Sequence, residues 1–347
     1  MSHSSPNLID VTIKEGGLRI QNCWLLDQVD DIVHEVGSAG ITHIEISHGM
    51  GIGANEAGFS GLHTDRELLE AAKRRTSSIK LIAHISPEYS FSELEPLAPY
   101  FDIGRIGLNV DEPDKAKRYI DKLAKLGKKV IVQLLRVQSR PVEDCIQTAK
   151  KLADWGAEVI YITDSFGSLT PDEIKTYIGN LKNSLQRPLG FQGRNNTGQA
   201  IPNALAAWDE GAQWLDGAIL GMGPGSGVAS LEKLVTCFQS MGHCNDIRLG
   251  NLCNAGKFFV KPALHSLPQI NYLDLILARH RLDYYPQDLL PHLSDILDIN
   301  LEDFLKALKE FRKDKVSLTE NDLRSYLNTH QLDLDVVMEF LKTGKVP

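Results

Sequence analysis

The stretch Gly190-Phe191-Gln192-Gly193-Arg194-Asn195-Asn196-Thr197-Gly198 follows an apolar lead-in that makes it the end of a strand. Gly198 and then Ala200-Ile201-Pro202-Asn203 open a helix, so the segment is one strand–loop–helix unit. Side chains two apart on a strand share a face, so Gln192 and Arg194 point the same way. Two neutral imidazoles at that spacing would aim at one cation. An amide and a guanidinium stand there instead. An Arg is always protonated and has no lone pair to donate, so divalent-metal catalysis at this strand end is not expected.

The same unit recurs on both sides. β-rich runs are predicted at 8–13, 43–48, 79–85, 101–108, 129–134, 159–164, 189–192 and 214–220, separated by amphipathic stretches. One helix start is specific: Thr170 as N-cap, Pro171 at the first helical position and Glu173 completing a capping box. Eight strand–helix units in roughly 230 residues predict an α/β (β/α)8 TIM barrel. A doubly wound sheet is the alternative, but no GxGxxG follows the first strand. From about residue 251 the alternation stops, and helices are predicted at 272–280, 288–297, 301–311, 319–328 and 334–341. The expected organisation is therefore a barrel over 1–250 and a C-terminal helical region over 251–347. The basic run at 306–315 reads as a solvated helix face.

Bulk properties narrow the function classes. Hydrophobic residues make up 42% of the 347, enough for a sizeable core. A net charge of −8 without a basic cluster argues against nucleic acid as a partner. No apolar run is long enough to span a bilayer, and the polar start Met1-Ser2-His3-Ser4-Ser5-Pro6-Asn7 lacks the regions of a signal peptide. The five cysteines are scattered without CxxC spacing, as expected of reduced thiols in a cytoplasmic protein.

In a barrel, chemistry gathers where strands end and the loops beyond them begin. That rule selects Lys14 and Glu15 after the first strand, His48 after the second, His84 after the third, Asn109 after the fourth and Arg136 after the fifth. Asp164 and Ser165 follow the sixth; Gln192, Arg194 and Asn195 close the seventh; the Gly-rich run 221–227 closes the eighth. That run contains no GxxxxGK[ST] phosphate loop, so its glycines read as a tight barrel loop.

The pieces Asp10-Val-Thr-Ile-Lys-Glu-Gly-Gly, Glu45-Ile-Ser-His-Gly-Met-Gly, Asp164-Ser165-Phe166-Gly167, Asn195-Asn196-Thr197-Gly198 and Asp216-Gly-Ala-Ile-Leu-Gly-Met-Gly-Pro-Gly-Ser-Gly resemble the 4-hydroxy-2-oxovalerate aldolases. That family lies among the metal-dependent lyases and synthases related to hydroxymethylglutaryl-CoA lyase and isopropylmalate synthase. The resemblance runs from about residue 8 to 240 and is looser in the helical tail. It implies a barrel whose first strand ends Arg-Asp-Gly, the Asp binding a divalent ion and the Arg steadying an enolate; these positions are Lys14 and Glu15. The family's paired metal-binding His residues are Gln192 and Arg194, and its catalytic base falls on Leu18. The Asn that usually closes the Gly-rich loop falls on Val228. His48 and Ser165 have family counterparts, Ser165 matching a residue on the substrate carboxylate, whereas His84 stands where the aldolases carry an apolar residue.

Three explanations are open. In the first, a metal-independent carbon–carbon lyase or synthase acts on a small 2-oxo acid or related carboxylate. Lys14 and Arg194 hold the anion and developing enolate, with Glu15, Ser165, Gln192 and Asn195 as binding partners. His84 or His48 then moves the proton. In a sharper version a desolvated Lys14, neutral beside Arg194, forms a Schiff base; otherwise it pairs with Glu15 or Glu45. The second is a catalytically inactive homologue that binds a metabolite or protein. The third keeps a metal on Glu15, Gln192 and other oxygens, although Gln is a poor ligand and Arg repels the ion. Asp10 and Asp164 are read as orienting residues beside cationic groups. No cofactor is expected. Relatives pass an aldehyde to an acylating aldehyde dehydrogenase, but the looser match of 251–347 withholds that partner, and self-association stays open.

Overall fold

Each β-rich run pairs in parallel with the next, and the last pairs with the first. The computed structural model describes residues 4–75, 78–282, 289–312 and 320–335. In it β1 (Asn7–Asp10), β2 (His43–Glu45), β3 (Lys80–Ile85), β4 (Ile103–Asn109), β5 (Lys129–Leu135), β6 (Val159–Asp164), β7 (Leu189–Gly193) and β8 (Trp214–Gly217) close into a barrel in sequence order. Helices between the strands cover the outside, so both strand faces are buried. The capping box at Thr170 forms: its backbone N–H donates to Glu173 Oε2 at 2.8 Å, ahead of the helix Pro171–Ser184.

The first strand is shorter than its β-branched run suggests. It ends at Asp10, and Lys14 and Glu15 sit in a buried helix, Thr12–Arg19, rather than on a strand end. Thr12 turns the chain out of the sheet: its hydroxyl donates to Asp10 and accepts the Ile219 N–H at 2.8 Å.

Register decides what fills the lumen, because paired residues of parallel neighbours share a face. The pairs Ile9↔Asp216, His84↔Arg105, Gly107↔Gln133, Gln133↔Tyr161 and Thr163↔Gln192 put all these side chains inside. The even strands contribute Glu45, Arg105, Tyr161 and Asp216, a set of four of the kind that layers a barrel core. Branched apolar residues usually fill such a layer. In this barrel it is ionic. Gly190 leaves room for it, since a Cβ there would lie 2.2 Å from the Tyr161 ring. Asp10 and Asp164 pair with Gly217 and Gly193 on the opposite face, toward the helices.

The first compact unit runs to Ile270, twenty residues beyond the boundary expected at 250. The helix Leu249–Asn254 and the π-helical turn Ala255–Val260 pack on the helix Leu26–Ala39, where Asn251 donates to Glu35 at 2.7 Å. The second unit, 271–347, contains the helices Tyr272–His280, Leu289–Ile296, Leu301–Arg312 and Glu320–Thr329. They bury a core of their own around Leu290, Phe304, Leu308 and Leu327. Residues 288, 313–315, 319 and 336–341 of the expected helices and basic run, and residues 1–3 of the polar start, lie outside the described residues. No helix among the described residues is long and apolar enough to cross a membrane.

Candidate active site

Gln192 in β7 hydrogen-bonds Glu15, and Arg194, one residue past the strand, bears on the same carboxylate electrostatically. Gln192 Nε2 donates to Glu15 Oε1 at 3.1 Å, and the same oxygen accepts from Lys14 Nζ at 2.7 Å. Burial works to raise the Glu15 carboxyl, but Lys14 and then Arg194 outweigh it and hold it below the usual carboxylate range. The amide oxygen of Gln192 accepts from Gln133 Nε2, which also donates to Thr163 Oγ1 at 3.0 Å. The result is one buried network from the helix after β1 across β7 to β5 and β6. Lys14 takes the pairing alternative, and its partner is Glu15.

Beside this network lies the ionic layer. Arg105 is fully buried and grips Asp216 with two parallel hydrogen bonds of 2.9 and 2.8 Å. It also donates to Glu45 Oε2 at 3.2 Å, and its guanidinium lies 4.2 Å from the Tyr161 ring centroid. Burial pushes Asp216 up to about 6, which leaves it ionised at neutral pH. Burial would also raise Glu45, but Arg105, His84 and Lys14 bring it down to about 2. Arg105 and Gln133 were not among the candidates. The signal was present in Ile103-Gly-Arg-Ile-Gly-Leu-Asn109, where strand alternation puts Arg105 in the lumen with Gly107.

The two histidines part company. His48 lies three residues beyond β2, inside the loop rather than on a strand end. Its Nδ1 accepts the Met50 N–H at 3.1 Å, so Nε2 carries the proton and donates to Ser60 O at 3.0 Å. Both ring nitrogens hold the loop together, and proton transfer would break one of those bonds. His84 is 7% exposed, with Nδ1 3.4 Å from Glu45 Oε1. Burial and then Lys14 push its pKa below the usual imidazole value, so it is neutral at pH 7.

Ser165 Oγ accepts the Arg136 N–H at 3.0 Å and keeps its own hydroxyl proton to donate. Arg136 takes a left-handed conformation, φ 53°, and donates to Asn109 at 2.9 Å. Asn195 is turned to its own loop: Oδ1 accepts the Ala200 N–H at 3.4 Å at the start of the helix Ala200–Glu210. Next to it Asn196 donates to Phe166 O at 3.1 Å and accepts from Ser226 at 2.6 Å, tying together the loops after β6, β7 and β8. Asp10 and Asp164 do not face cations. Asp164 accepts from the Ser168 and Leu169 N–H groups and from Gln138, and burial raises its pKa. Asp10 meets Thr12, and burial pushes it to about 7.

A divalent ion does not fit the residues at 15, 192 and 194. The single carboxylate is engaged by Lys14 and Gln192, the Gln192 oxygen is taken by Gln133, and two cations adjoin the spot. Among the described residues no group of three His, Cys, Asp or Glu is arranged to hold a metal.

A family model described as HMGL-like matches residues 108–259. The chain is 31% identical over 257 residues to an oxaloacetate decarboxylase of Mycobacterium tuberculosis, covering 74% of this chain and 76% of that protein. It is 30% identical over 276 residues to a 4-hydroxy-2-oxovalerate aldolase of Moorella thermoacetica, covering 78% and 80%. Among solved structures, hydroxymethylglutaryl-CoA lyase from Pseudomonas aeruginosa superposes with a TM-score of 0.69 at 14% identity, over 80% of this chain and all of that one. The carboxyl transferase domain of Rhizobium etli pyruvate carboxylase with pyruvate gives 0.73 at 15%, over 96% and 62%. At such identities these two speak for the barrel alone.

Proposed function

The chain belongs to the HMGL-like family of aldolases and lyases, and from that membership we propose that it is a carbon–carbon lyase or synthase acting on a small 2-oxo acid without a divalent ion. The observation that carries the metal-independent part is the Lys14–Glu15–Gln192 cluster, which brings fixed positive charge to the position the resemblance assigns to an ion.

In the cleavage direction a base takes the proton of a 4-hydroxyl group and the bond between C3 and C4 breaks. C4 becomes a carbonyl, and the electron pair moves to the 2-oxo oxygen as an enolate. The proton then returns to C3. Lys14 and Arg194 stabilise that oxygen and the adjoining carboxylate, and the loss of one such donor costs about 10²–10³ in kcat. Gln192 and Ser165 orient the substrate. His84, neutral and at the barrel mouth, is the base. The 2.7 Å contact commits Lys14 Nζ to Glu15, which supports electrostatic work by this residue over an imine.

The competing reading is an inactive homologue that binds a metabolite or a protein. It draws on the same ion pair, because Glu15 already neutralises Lys14. A panel of 2-oxo acids and 4-hydroxy-2-oxo acids assayed in EDTA separates the two. Turnover that survives chelation and disappears in Arg194→Ala supports the enzyme. A shift in melting temperature with carboxylates but no turnover supports the binder. Borohydride trapping checks the imine, and no Lys14-dependent adduct is expected.

A further inference from the structure

Two buried polar atoms in the lumen have no hydrogen-bond partner, and they face each other: Glu45 Oε1 on β2 and His84 Nδ1 on β3, 3.4 Å apart. If Nδ1 carried only a lone pair, two acceptors would confront one another, both sealed from water. A proton on Nδ1 turns that opposition into an attraction across the 3.4 Å. We infer that Glu45 is a positioning residue that fixes His84 as the Nδ1–H tautomer and so leaves Nε2 as the bare nitrogen that takes the substrate proton.

The surroundings give Glu45 no freedom to do otherwise. Its second oxygen accepts from Arg105 at 3.2 Å, and Arg105 is clamped in turn by the Asp216 carboxylate and the Tyr161 ring. The imidazole lies between two glycines. A Cβ on Gly51 would come within 3.2 Å of His84 Cδ2, and one on Gly107 within 2.9 Å of Cε1 and 3.1 Å of Nε2. Nε2 makes no hydrogen bond among the described residues, in contrast to His48, whose two nitrogens are both committed to its loop. The charged groups that bear on His84 are Glu45 from β2, Arg105 from β4 and Lys14 from the helix after β1. Glu45 is the one of these that favours the imidazolium, and so supports a base while it holds the proton.

The role of the tautomer in catalysis rests on the proposed lyase reading; the tautomer itself does not, and the test separates them. In nitrogen-15 NMR of the full-length protein at mildly alkaline pH, the His84 signals are assigned by their absence from His84→Gln. They should show a protonated Nδ1 and an unprotonated Nε2. The reverse pattern, or the averaged signals of a free imidazole, overturns the inference. Glu45→Gln removes the charge and allows the amide to present either end, so the tautomers should mix. In that variant kcat should fall about tenfold or more with KM within about twofold, a part of the roughly 10²–10⁴-fold that a general base contributes. The acid limb of the kcat profile should also move to lower pH, because a carboxylate that stabilised the imidazolium is gone. An Nδ1–H pattern retained in Glu45→Gln, with kcat and the acid limb unchanged, overturns the role of Glu45. If Glu45→Gln does not fold, Glu45→Asp keeps the charge for Arg105 but withdraws the oxygen from His84 by one methylene, and the mixed pattern is expected there. A wild-type Nδ1–H pattern that Glu45→Gln abolishes, in a protein that turns over no 2-oxo acid, upholds the positioning role and removes the lyase reading instead.

Discussion

Taking the side-chain amine from Lys14 leaves Glu15 as a buried carboxylate with Gln192 and the charge of Arg194 for company. Two effects follow at this one residue. The electrostatic support for the enolate weakens, and the Glu15 carboxyl rises toward neutrality because burial is no longer opposed by its nearest charge. Lys14→Met is expected to lower kcat/KM by about 10²-fold or more, the cost of one lost oxyanion donor. Lys14→Arg, which keeps the charge, should retain more of the activity than Met. Equal losses in the two variants, in steady-state assays, would remove charge from the account of Lys14. His48→Asn makes the contrasting case. The ring at 48 holds Met50 and Ser60 rather than facing the network, so its loss should disturb the loop and KM more than the pH profile of kcat.

At the level of elements, β1 and the shell of helices meet over Asp10. Its side chain faces away from the lumen, is fully buried and leaves Oδ2 without a partner. Burial raises its pKa to about 7, whereas the unfolded chain returns it to the ordinary carboxylate range. Between those two values the folded protein holds a proton that the unfolded chain has released. Stability from this group is therefore fully present below the ordinary carboxylate range and is lost as pH rises from there through about 7. Urea titrations of the wild type should show less stability at pH 8 than at pH 5, by on the order of a few kcal/mol from this group. Asp10→Asn keeps the acceptor for Thr12 and removes the charge, so its stability should change far less between those two pH values. A pH dependence identical to wild type would mean that Asp10 is not the group titrating.

On the scale of the whole barrel, the layer of Glu45, Arg105, Tyr161 and Asp216 joins four strands through one guanidinium. Desolvating these ions opposes folding, and their mutual pairing is what offsets that cost. Arg105→Leu abandons two buried carboxylates and should destabilise the protein by about 3–5 kcal/mol. Replacing Glu45, Arg105 and Asp216 together with apolar residues should recover much of that loss, since no ion is then stranded. Activity should not return with it, because His84 has lost Glu45. Denaturation midpoints and kcat for both variants check this, and a neutral Arg105→Leu would deny the layer its cost.

The order and number of strands were legible because each is an apolar run between turn signals, and strand alternation put Gln192 and Arg194 on one face before any contact was known. Strand ends likewise pointed to Lys14, Glu15, His84, Ser165, Gln192 and Arg194. What the linear pattern did not contain is which charge meets which. Gln192 reaches Glu15 across 177 residues, and Arg105 reaches Asp216 across 111. The short first strand also depends on a partner far along the chain, Ile219, whereas His48 is held within its own loop by Met50 and Ser60. Local pattern records burial and periodicity, which each residue carries by itself. Pairing of ions and the choice of a histidine tautomer are properties of two groups brought together, and barrel closure alone brings these together.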